Sequence, residues 1–438
     1  MGLHVSVVGP AAIPSPLRLA HQAAFVTDDA YVLHDIEHPR PRIPGTPRAF
    51  QKAGPRAHVC FDPKKTTVGV VTAGGVCPGI NDVIRAIVME LHHGYGVERI
   101  LGFRFGFAGL DPTSAHDPMA LDPPTVRDVH LRAGTMLGTS RGPRAPSAMV
   151  DTLARLAVDV LLVIGGDGSM RAAHAIHAEI DRRGLAIGVV GVPKTIDNDI
   201  PFVDKTFGFE TAVATARLAI DAAHAEARSV ANGVGVVKLM GRNAGFIAAN
   251  ATLASHEVNA CLVPEVPFDL RGEGGLLAWL EERLALRGHA VVVVGEGCTT
   301  VGLELPMLLD ASGNRELASA GHDVGRSLQH AIEDHFARRG LPLTLKYIDP
   351  SYMVRAMRAS GDDAVFCDAL ARNAVHAAMA GKTDILVGRW HRCFTHVPLA
   401  LALAHERRLD PAGAVWRHVV ESTGQPSFSA GGEIRADR

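Results

Sequence analysis

Six short apolar runs recur along the chain, and each ends in glycine, proline or a polar residue. Runs of this length that are rich in valine, isoleucine and leucine are typical of strands buried on both faces of a parallel sheet. They cover residues 68–75, 160–168, 187–195, 234–242, 260–265 and 290–297. The segments 170–184 and 211–228 between them have the pattern of helices, and Gly184 is suited to end the first. The sequence therefore predicts a doubly wound α/β fold.

The length of the chain predicts more than one such unit. Its 438 residues exceed what a single compact core usually holds. We expect two α/β domains, a larger one over 67–207 plus 355–405 and a smaller one over 208–354 plus 406–438. Residues 1–66 hold 9 of the 26 prolines, including a run over 40–48 that excludes a helix or an inner strand. We interpret them as an extension that wraps on the surface or on a neighbouring subunit, or is partly disordered.

The charge balance, the cysteines and the chain start exclude several classes of protein. With 44 basic and 46 acidic residues, the net charge of −2 makes no case for a nucleic-acid or membrane partner. No apolar run approaches the roughly 18 residues that span a bilayer, and the first residues do not have the pattern of a secretion signal. The six cysteines show no CxxC or zinc spacing. We expect reduced thiols and a cytoplasmic location.

The residues that follow the strands carry the chemistry, since ligands of open α/β sheets bind beyond the carboxyl ends of the strands. GGVCPGINDVIR at 74–85 follows a strand and leads into a helix. Its small residues would let the backbone approach a ligand, and the free N–H groups of the helix would attract an anion. The alternative is a simple tight turn, because neither standard nucleotide fingerprint is present.

The second glycine-rich motif, GGDGS at 165–169, contains a single carboxylate. Gly165 and Gly166 would allow a close approach to a phosphate chain, and Ser169 could cap the next helix. Asp167 would be repelled by phosphates unless a cation lay between them, so it is suited to bind Mg²⁺. The alternative is that Asp167 only caps a helix beginning at Met170.

Two carboxylates stand two residues apart in PKTIDNDIP at 193–201. If the backbone is extended there, Asp197 and Asp199 point into the same crevice. One could accept a proton from an attacking hydroxyl while the other holds a metal or orients its partner. Aspartate is already ionised at pH 7, so such a base would act by its position. An Asx-rich surface turn is the alternative.

Three arginines and a glutamate lie in the remaining strand-end motifs. Arg242 in LMGRNAG and Arg355 in KYIDPSYMVR fit a sugar phosphate, because guanidinium groups bind phosphate in a bidentate fork. Glu296 in GEGCTT could accept hydrogen bonds from sugar hydroxyls, and Arg141 in GTMLGTSRGP is a candidate for the phosphates of a donor. Surface ion pairs and a strand-end carboxylate are the alternatives. Together the motifs indicate phosphoryl transfer to a sugar hydroxyl.

GGVCPGIND, LGTSRGP, IGGDGS, PKTIDND, MGR and YMVR resemble, in this order, the motifs of the phosphofructokinase family. The likeness runs from Thr67 to about Trp390 and is strongest to the branch with plant and trypanosomatid ATP-dependent enzymes. It implies a glycolytic 6-phosphofructokinase, allosteric as family members often are, that uses ATP and Mg²⁺ to phosphorylate fructose 6-phosphate. It also implies a homo-oligomer, either dimer or tetramer.

The resemblance implies a role for each matching residue. The expected ATP contacts are Gly75, Arg141, Gly142, Gly166, Asp167, Gly168 and Ser169, with Asp167 on Mg²⁺. Thr195 and Asp197 would meet fructose 6-phosphate, with Asp197 as the base and Asp199 supporting the metal or the base. The expected contacts to the sugar phosphate are Met240, Gly241, Arg242, Glu296, Tyr352, Arg355 and, as a weaker candidate, Lys346.

Two positions bear on the choice of phosphoryl donor, and a third departs from the family pattern. Gly168 leaves room for the α-phosphate of ATP, where pyrophosphate-dependent members typically carry aspartate. Lys194 is typical of pyrophosphate users, although the plant-like branch combines this lysine with the glycine and uses ATP. Gly233 stands where short bacterial enzymes place an arginine that reaches across a subunit interface, and Arg228 is nearby but offset. That contribution from a second subunit is therefore in doubt.

Four other functions are alternatives for this sequence. A pyrophosphate-dependent phosphofructokinase would run the same chemistry. The NAD and diacylglycerol kinase families share a GGDG turn but not PKTIDND or MGRNAG. A non-catalytic regulatory subunit predicts loss of Asp197, Asp167 or the arginines, and all of them are present. A kinase for another sugar phosphate, such as sedoheptulose 7-phosphate, stays open.

Overall fold

A computed structural model describes residues 3–18, 24–37, 48–299, 307–309, 315–317 and 323–428. The chain divides into two compact units. Unit 1 consists of Met1–Gly208, Ala311–Asn314 and Ala356–Glu406, and unit 2 of Phe209–Asp310, Arg315–Arg355 and Arg407–Arg438. Strands and helices are numbered below along the whole chain. No helix in the described ranges is both long and apolar enough to cross a membrane.

Unit 1 is built on a nine-stranded sheet in the order β3-β4-β19-β18-β10-β9-β6-β7-β8. The inner strands from β18 to β7 run parallel. Its described strands are β1 (Ser6–Val7), β2 (Ile13–Pro14), β3 (Tyr31–Leu33), β4 (Ala49–Lys52), β5 (His58–Val59), β6 (Thr67–Thr72), β7 (Arg99–Phe103), β8 (Met119–Ala120), β9 (Val160–Gly165), β10 (Gly188–Pro193), β17 (Lys382–Thr383), β18 (Ile385–Trp390) and β19 (Cys393–Pro398).

The helices of unit 1 cover the sheet through apolar residues at helical spacing. In α1, for example, Ile80, Val83, Ile84 and Ile87 are buried. The helices are α1 (Ile80–Met89), α2 (Pro146–Arg155), α3 (Asp167–Arg182), α8 (Gly361–Met379) and α9 (Leu399–Ala402), with a π-helical turn at Glu90–Tyr95 and 3₁₀ turns at Gly106–Leu110 and Val129–Leu131.

Unit 2 has a four-stranded, fully parallel sheet in the order β12-β13-β11-β16 in its described part. Its strands are β11 (Gly233–Leu239), β12 (Ala260–Leu262), β13 (His289–Gly295), β14 (Met307–Leu309), β15 (Arg315–Leu317) and β16 (Thr344–Ile348). Its helices are α4 (Phe209–Arg228), α5 (Phe246–Ser255), α6 (Leu276–Arg287), α7 (Val324–Arg339) and α10 (Ala414–Thr423), with a 3₁₀ turn at Ser351–Val354.

The predicted α/β fold with parallel sheets is confirmed. All six apolar runs contain a strand of one of these two sheets. The strands are buried on both faces, which is why their sequences are continuously apolar. Described parts of residues 1–66 form short strands, and β3 and β4 extend the large sheet at one edge. Residues 40–47 of the proline-rich run lie outside the described residues, so the interpretation of that run stays a prediction.

A buried histidine makes the stability of unit 1 depend on pH. His376 on α8 lies 2.9 Å from the Tyr95 hydroxyl, and burial, assisted by Arg372 and Arg56, lowers its pKa to about 4. The folded state therefore keeps the ring neutral, whereas an unfolded histidine is protonated below its ordinary pKa of about 6.5. The free energy of unfolding should fall as the pH falls from about 6.5 to about 4, by up to about 3 kcal/mol.

Urea unfolding at pH 7.0 and pH 4.5 of the wild type and of His376→Gln measures this effect. The wild type should lose more stability between the two pH values than the variant, which has no imidazole to protonate. An equal loss in both proteins would contradict the assignment.

Candidate active site

The carboxyl ends of three neighbouring strands meet at one edge of the large sheet. Strand β9 lies between β6 and β10, with Ile164 opposite Thr72 and Gly165 opposite Pro193. The loops that follow these strands therefore start side by side. The direction in which the chain adds strands also reverses here. From β6 it first adds β7 on one side and later adds β9 and β10 on the other. Such a switch point is the usual ligand crevice of an open α/β sheet.

Gly74 lies where the first three motifs meet. Its backbone is left-handed, with φ +83°, and a Cβ placed on it would lie 3.7 Å from Lys194 Nζ and 3.8 Å from Ser169 Oγ. Lys194 is buried and its Nζ donates a hydrogen bond to the carbonyl of Gly75 at 2.7 Å. The structure thus brings Gly75, Ser169 and Lys194 together around a position without a side chain.

The GGDGS turn enters α3 earlier than predicted. The helix starts at Asp167 with Gly166 as its N-cap, and the Gly166 carbonyl accepts hydrogen bonds from the N–H groups of Ser169 and Met170. The predicted capping by Ser169 is therefore wrong: within the described chain its side chain does not cap α3. Gly165 must be glycine, since a Cβ there would lie 2.2 Å from Ser169 Cβ. Gly168 lies half-buried in the first helical turn.

Asp167 is paired with a residue that the sequence analysis missed. Its Oδ2 accepts hydrogen bonds from Arg171 Nε at 3.1 Å and Nη2 at 2.9 Å. The i,i+4 spacing on a predicted helix was an available signal. The carboxylate lies in a glycine-rich turn at a helix N-terminus, and one carboxylate together with phosphate oxygens is a common ligand set for Mg²⁺. The residues present therefore fit the metal.

The loop that carries Arg141 is anchored by residues outside its own motif. Thr72 Oγ1 donates to the carbonyl of Gly138 at 2.7 Å, and Thr139 Oγ1 donates to that of Gly74 at 2.6 Å. The buried Asn81 holds the same loop, because its Oδ1 accepts a hydrogen bond from the Met136 N–H at 2.8 Å. Arg141 itself is exposed, and Gly142 has φ +105°.

In the segment after β10, residues alternate in burial. Thr195, Asp197 and Asp199 are half-buried, whereas the residues between them are buried. The backbone is not extended as the prediction required, because Asn198 has φ +56°. Asn198 Oδ1 accepts a hydrogen bond from the N–H of Thr206 at 3.0 Å and stabilises this conformation.

Within the same segment, Thr195 Oγ1 accepts a hydrogen bond from the Asp197 N–H at 3.0 Å. Thr206 Oγ1 donates to the Thr195 carbonyl at 2.7 Å. Asp197 is thus held by a local turn that is itself fastened to residue 206. Asn198 and Thr206 are positioning residues that the sequence analysis did not identify, since their contacts are visible only in the folded chain.

In unit 2, the turn after β11 packs against the end of β13. Glu296 Oε1 accepts hydrogen bonds from the N–H groups of Arg242 at 2.8 Å and Gly241 at 3.3 Å. Arg242 has φ +40°, a strained value for arginine. Gly297 leaves room for this turn, because a Cβ on it would lie 1.7 Å from the Arg242 carbonyl oxygen. Met240, Gly241, Arg242 and Glu296 are therefore together, and Glu296 shapes the turn.

The segment 346–355 brings two of its three predicted residues near each other. The Arg355 guanidinium lies 4.6 Å from the centre of the Tyr352 ring, and in the described structure its buried Nε has no hydrogen-bond partner. Lys346 is exposed and pairs in register with Gly235. That register is five residues before Met240, about 16 Å along the strand, so the structure does not bring Lys346 to the turn.

Two further positions in unit 2 are explained by packing. Glu265, which the sequence analysis missed, accepts a hydrogen bond from the Gly245 N–H at 2.9 Å at the start of α5. A Cβ on Gly233 would lie 2.0 Å from the backbone oxygen of Ala227, so this backbone admits no arginine there. Arg228 is exposed at the end of α4.

The cysteines inside the motifs are unsuited to be nucleophiles. Burial raises the pKa of the Cys77 thiol and that of the Cys298 thiol, which keeps both protonated. All six cysteines are free in the structure.

Comparison with known proteins supports the resemblance. A family model described as Phosphofructokinase matches residues 67–378. A protein from Amycolatopsis methanolica named ATP-dependent 6-phosphofructokinase is 48% identical over 94% of this chain and 90% of its own. ATP-dependent 6-phosphofructokinase 1 of Arabidopsis thaliana is 44% identical (95% and 88%). The ATP-dependent 6-phosphofructokinase of Trypanosoma brucei brucei is 42% identical (97% and 87%).

Solved structures agree on the fold. A pyrophosphate-dependent phosphofructokinase from Marinobacter aquaeolei has a TM-score of 0.65 at 20% identity, over 85% of this chain and 98% of its own. The predicted resemblance, including the likeness to plant and trypanosomatid enzymes, is confirmed. The chain belongs to the phosphofructokinase family.

Proposed function

We propose that this protein is an ATP-dependent 6-phosphofructokinase, which transfers the γ-phosphoryl group of ATP to the 1-hydroxyl of fructose 6-phosphate in glycolysis. The observation that carries the proposal is the meeting of Gly75, Ser169 and Lys194 around Gly74 at the switch point of the large sheet. Relatives that are 42–48% identical over nearly the whole chain carry this name.

In the proposed reaction, Asp197 accepts the proton of the 1-hydroxyl while that oxygen attacks the γ-phosphorus. The bond from the γ-phosphorus to the bridging oxygen breaks, and ADP leaves. Arg141 and Lys194 offset the charge of the phosphates. Mg²⁺, held by Asp167 and phosphate oxygens, would supply further charge neutralisation. The free N–H groups at the start of α3 add donors for a phosphate oxygen.

The acceptor groups are proposed in unit 2. Arg242 and Arg355 would bind the 6-phosphate, and the orphaned Nε of Arg355 is a hydrogen-bond donor that a phosphate oxygen would satisfy. Met240, Gly241, Glu296 and Tyr352 would contact the sugar. Thr195 would also contact the sugar, and Asp199 would support the base.

A pyrophosphate-dependent reaction is the second candidate. It is favoured by Lys194, whose Nζ lies beside Gly74, and opposed by Gly168. The deciding assay measures fructose 1,6-bisphosphate formed from fructose 6-phosphate and Mg²⁺, with ATP and pyrophosphate in parallel reactions. Product with ATP supports the proposal, product with pyrophosphate alone supports the second candidate, and no product with either excludes fructose 6-phosphate as the acceptor.

Gly297→Ala tests the acceptor turn. The new methyl group cannot lie 1.7 Å from the Arg242 carbonyl, so the turn must move. We expect the KM for fructose 6-phosphate to rise at least about tenfold and the KM for ATP to change less than about twofold. Gly361→Ala is the control, because a Cβ there meets nothing within 4 Å. An unchanged KM for fructose 6-phosphate in Gly297→Ala would contradict this role of the turn.

We also propose that the protein is a cytoplasmic homo-oligomer, a dimer or a tetramer. The free cysteines fit a reducing compartment. Residue 233 is glycine, so this position supplies no arginine across a subunit interface. A Cβ there would also meet the backbone of Ala227. Sedimentation of the purified protein would measure the oligomeric state.

A further inference from the structure

A charged cluster in unit 2 lies between the two segments proposed to bind the sugar phosphate. Lys238, the next-to-last residue of β11, has a side chain that is 17% exposed. Its Nζ lies 2.8 Å from Asp349 Oδ2 and 3.2 Å from Asp323 Oδ2. Burial alone would lower the pKa of Lys238, but the two carboxylates outweigh burial and raise it. Lys238 is therefore a partly buried cation with two anionic partners.

The Lys238–Asp349 pair continues the sheet where the backbone ladder ends. The last paired residues of β11 and β16 are Val237 and Ile348. The next position on each strand is Lys238 and Asp349, which are joined through their side chains instead. Beyond this point β11 leads into the turn at 240–242, and β16 leads into the 3₁₀ turn Ser351–Val354.

Asp349 is also tied to the turn that follows it. Its Oδ1 accepts a hydrogen bond from the N–H of Ser351 at 2.9 Å, and Ser351 has φ +39°. This conformation starts the 3₁₀ turn that carries Tyr352 and leads to Arg355. A change at Asp349 therefore reaches Ser351 through this hydrogen bond, and Arg355, the proposed phosphate-binding residue, follows Ser351 by four positions.

Asp323, the second partner of Lys238, is held by contacts of its own. Its carboxylate caps α7 by accepting hydrogen bonds from the N–H groups of Gly325 and Arg326. The Tyr347 hydroxyl donates to the same carboxylate at 2.9 Å. Lys238 thus contacts one carboxylate fixed to the start of α7 and another fixed to Ser351, the first residue of the 3₁₀ turn. The two anchors define where its ammonium group lies.

We propose that Lys238, through its ion pair with Asp349, is a positioning residue that sets the spacing between the Met240–Arg242 turn and the Tyr352–Arg355 turn. This inference rests on the proposed function of those turns. Lys238 acts through Asp349 and need not contact the substrate. Its loss should therefore weaken the use of fructose 6-phosphate and leave the use of ATP intact.

The test compares Lys238→Met, which keeps most of the length of the side chain and removes its charge, with Asp349→Asn and Lys238→Arg. Lys238→Met and Asp349→Asn should each raise the KM for fructose 6-phosphate at least about tenfold, with kcat and the KM for ATP within about threefold of wild type. Lys238→Arg should recover part of the loss. The double variant should be no worse than either single one, since one interaction is removed.

Arg339→Met is the matched control, because it removes an ion pair of similar length, to Glu281 at 2.9 Å, from α7 of the same unit. It should leave both KM values unchanged. A folded Lys238→Met with a normal KM for fructose 6-phosphate overturns the inference, as does an equal decline of all kinetic parameters with the melting temperature. If Lys238→Met does not fold, Asp349→Asn decides alone. A wild type inactive on fructose 6-phosphate overturns the proposed function and this inference with it.

Discussion

Replacing Asp197 by serine should lower kcat by about 10³-fold, the range expected for loss of a general base, with little change in either KM. The Asp197 N–H is bonded to Thr195 Oγ1, and its side chain lies on the half-buried side of the segment after β10. Serine can keep that backbone hydrogen bond but cannot accept the proton of the 1-hydroxyl at neutral pH. Steady-state kinetics with both substrates varied measure the effect.

Asp181→Ser is the control for Asp197→Ser, since Asp181 is an exposed carboxylate at the end of α3. It should behave as the wild type. A parallel loss of substrate binding and kcat in Asp197→Ser would point to a structural role for Asp197 and would refute its assignment as the base.

Replacing Gly168 by aspartate should lower kcat/KM for ATP by about 100-fold, which corresponds to about 2.7 kcal/mol. Gly168 lies in the first turn of α3, next to Asp167. A second carboxylate there would repel the α-phosphate of ATP and compete for the helix N–H groups. Pyrophosphate has no α-phosphate with an attached nucleoside, so the ratio of kcat/KM for pyrophosphate to that for ATP should rise.

Ala178→Asp is the matched control for Gly168→Asp, because it adds a carboxylate at an exposed position of the same helix. Its kinetics should be those of the wild type. Full ATP activity in Gly168→Asp would mean that the donor does not pass close to this residue, and the account of donor choice would then be wrong.

The strands, and the placement of their carboxyl ends side by side, could be predicted from the sequence. Continuous apolar runs such as that in β9 are typical of parallel strands buried on both faces. The local form of the Asp197 segment could not be predicted. Asn198 adopts a left-handed conformation that asparagine tolerates, and its partner Thr206 is identified only by the folded chain. The prediction that Ser169 caps α3 was wrong because the helix already begins at Asp167, with Gly166 as its N-cap.

Interactions between distant segments were beyond prediction as well. The sequence pattern places Lys238 only within an apolar strand, and its partners lie 85 and 111 positions further along the chain. Lys346 looked similar in sequence, yet its register places it far from the turn. A strand's pattern shows which faces are buried but not which residue stands opposite, and that register decides which lysine is near the phosphate-binding turns.

The alternating burial of residues 194–200 limits how this region can change during evolution. Lys194, Ile196 and Ile200 are buried, while Thr195 and the two aspartates are half-buried. Loss or gain of a single codon within the segment would move Asn198 away from the position at which Thr206 holds its left-handed backbone, and would displace the aspartates beside it. Substitutions can accumulate here one residue at a time, but the length of the segment is inherited as a unit.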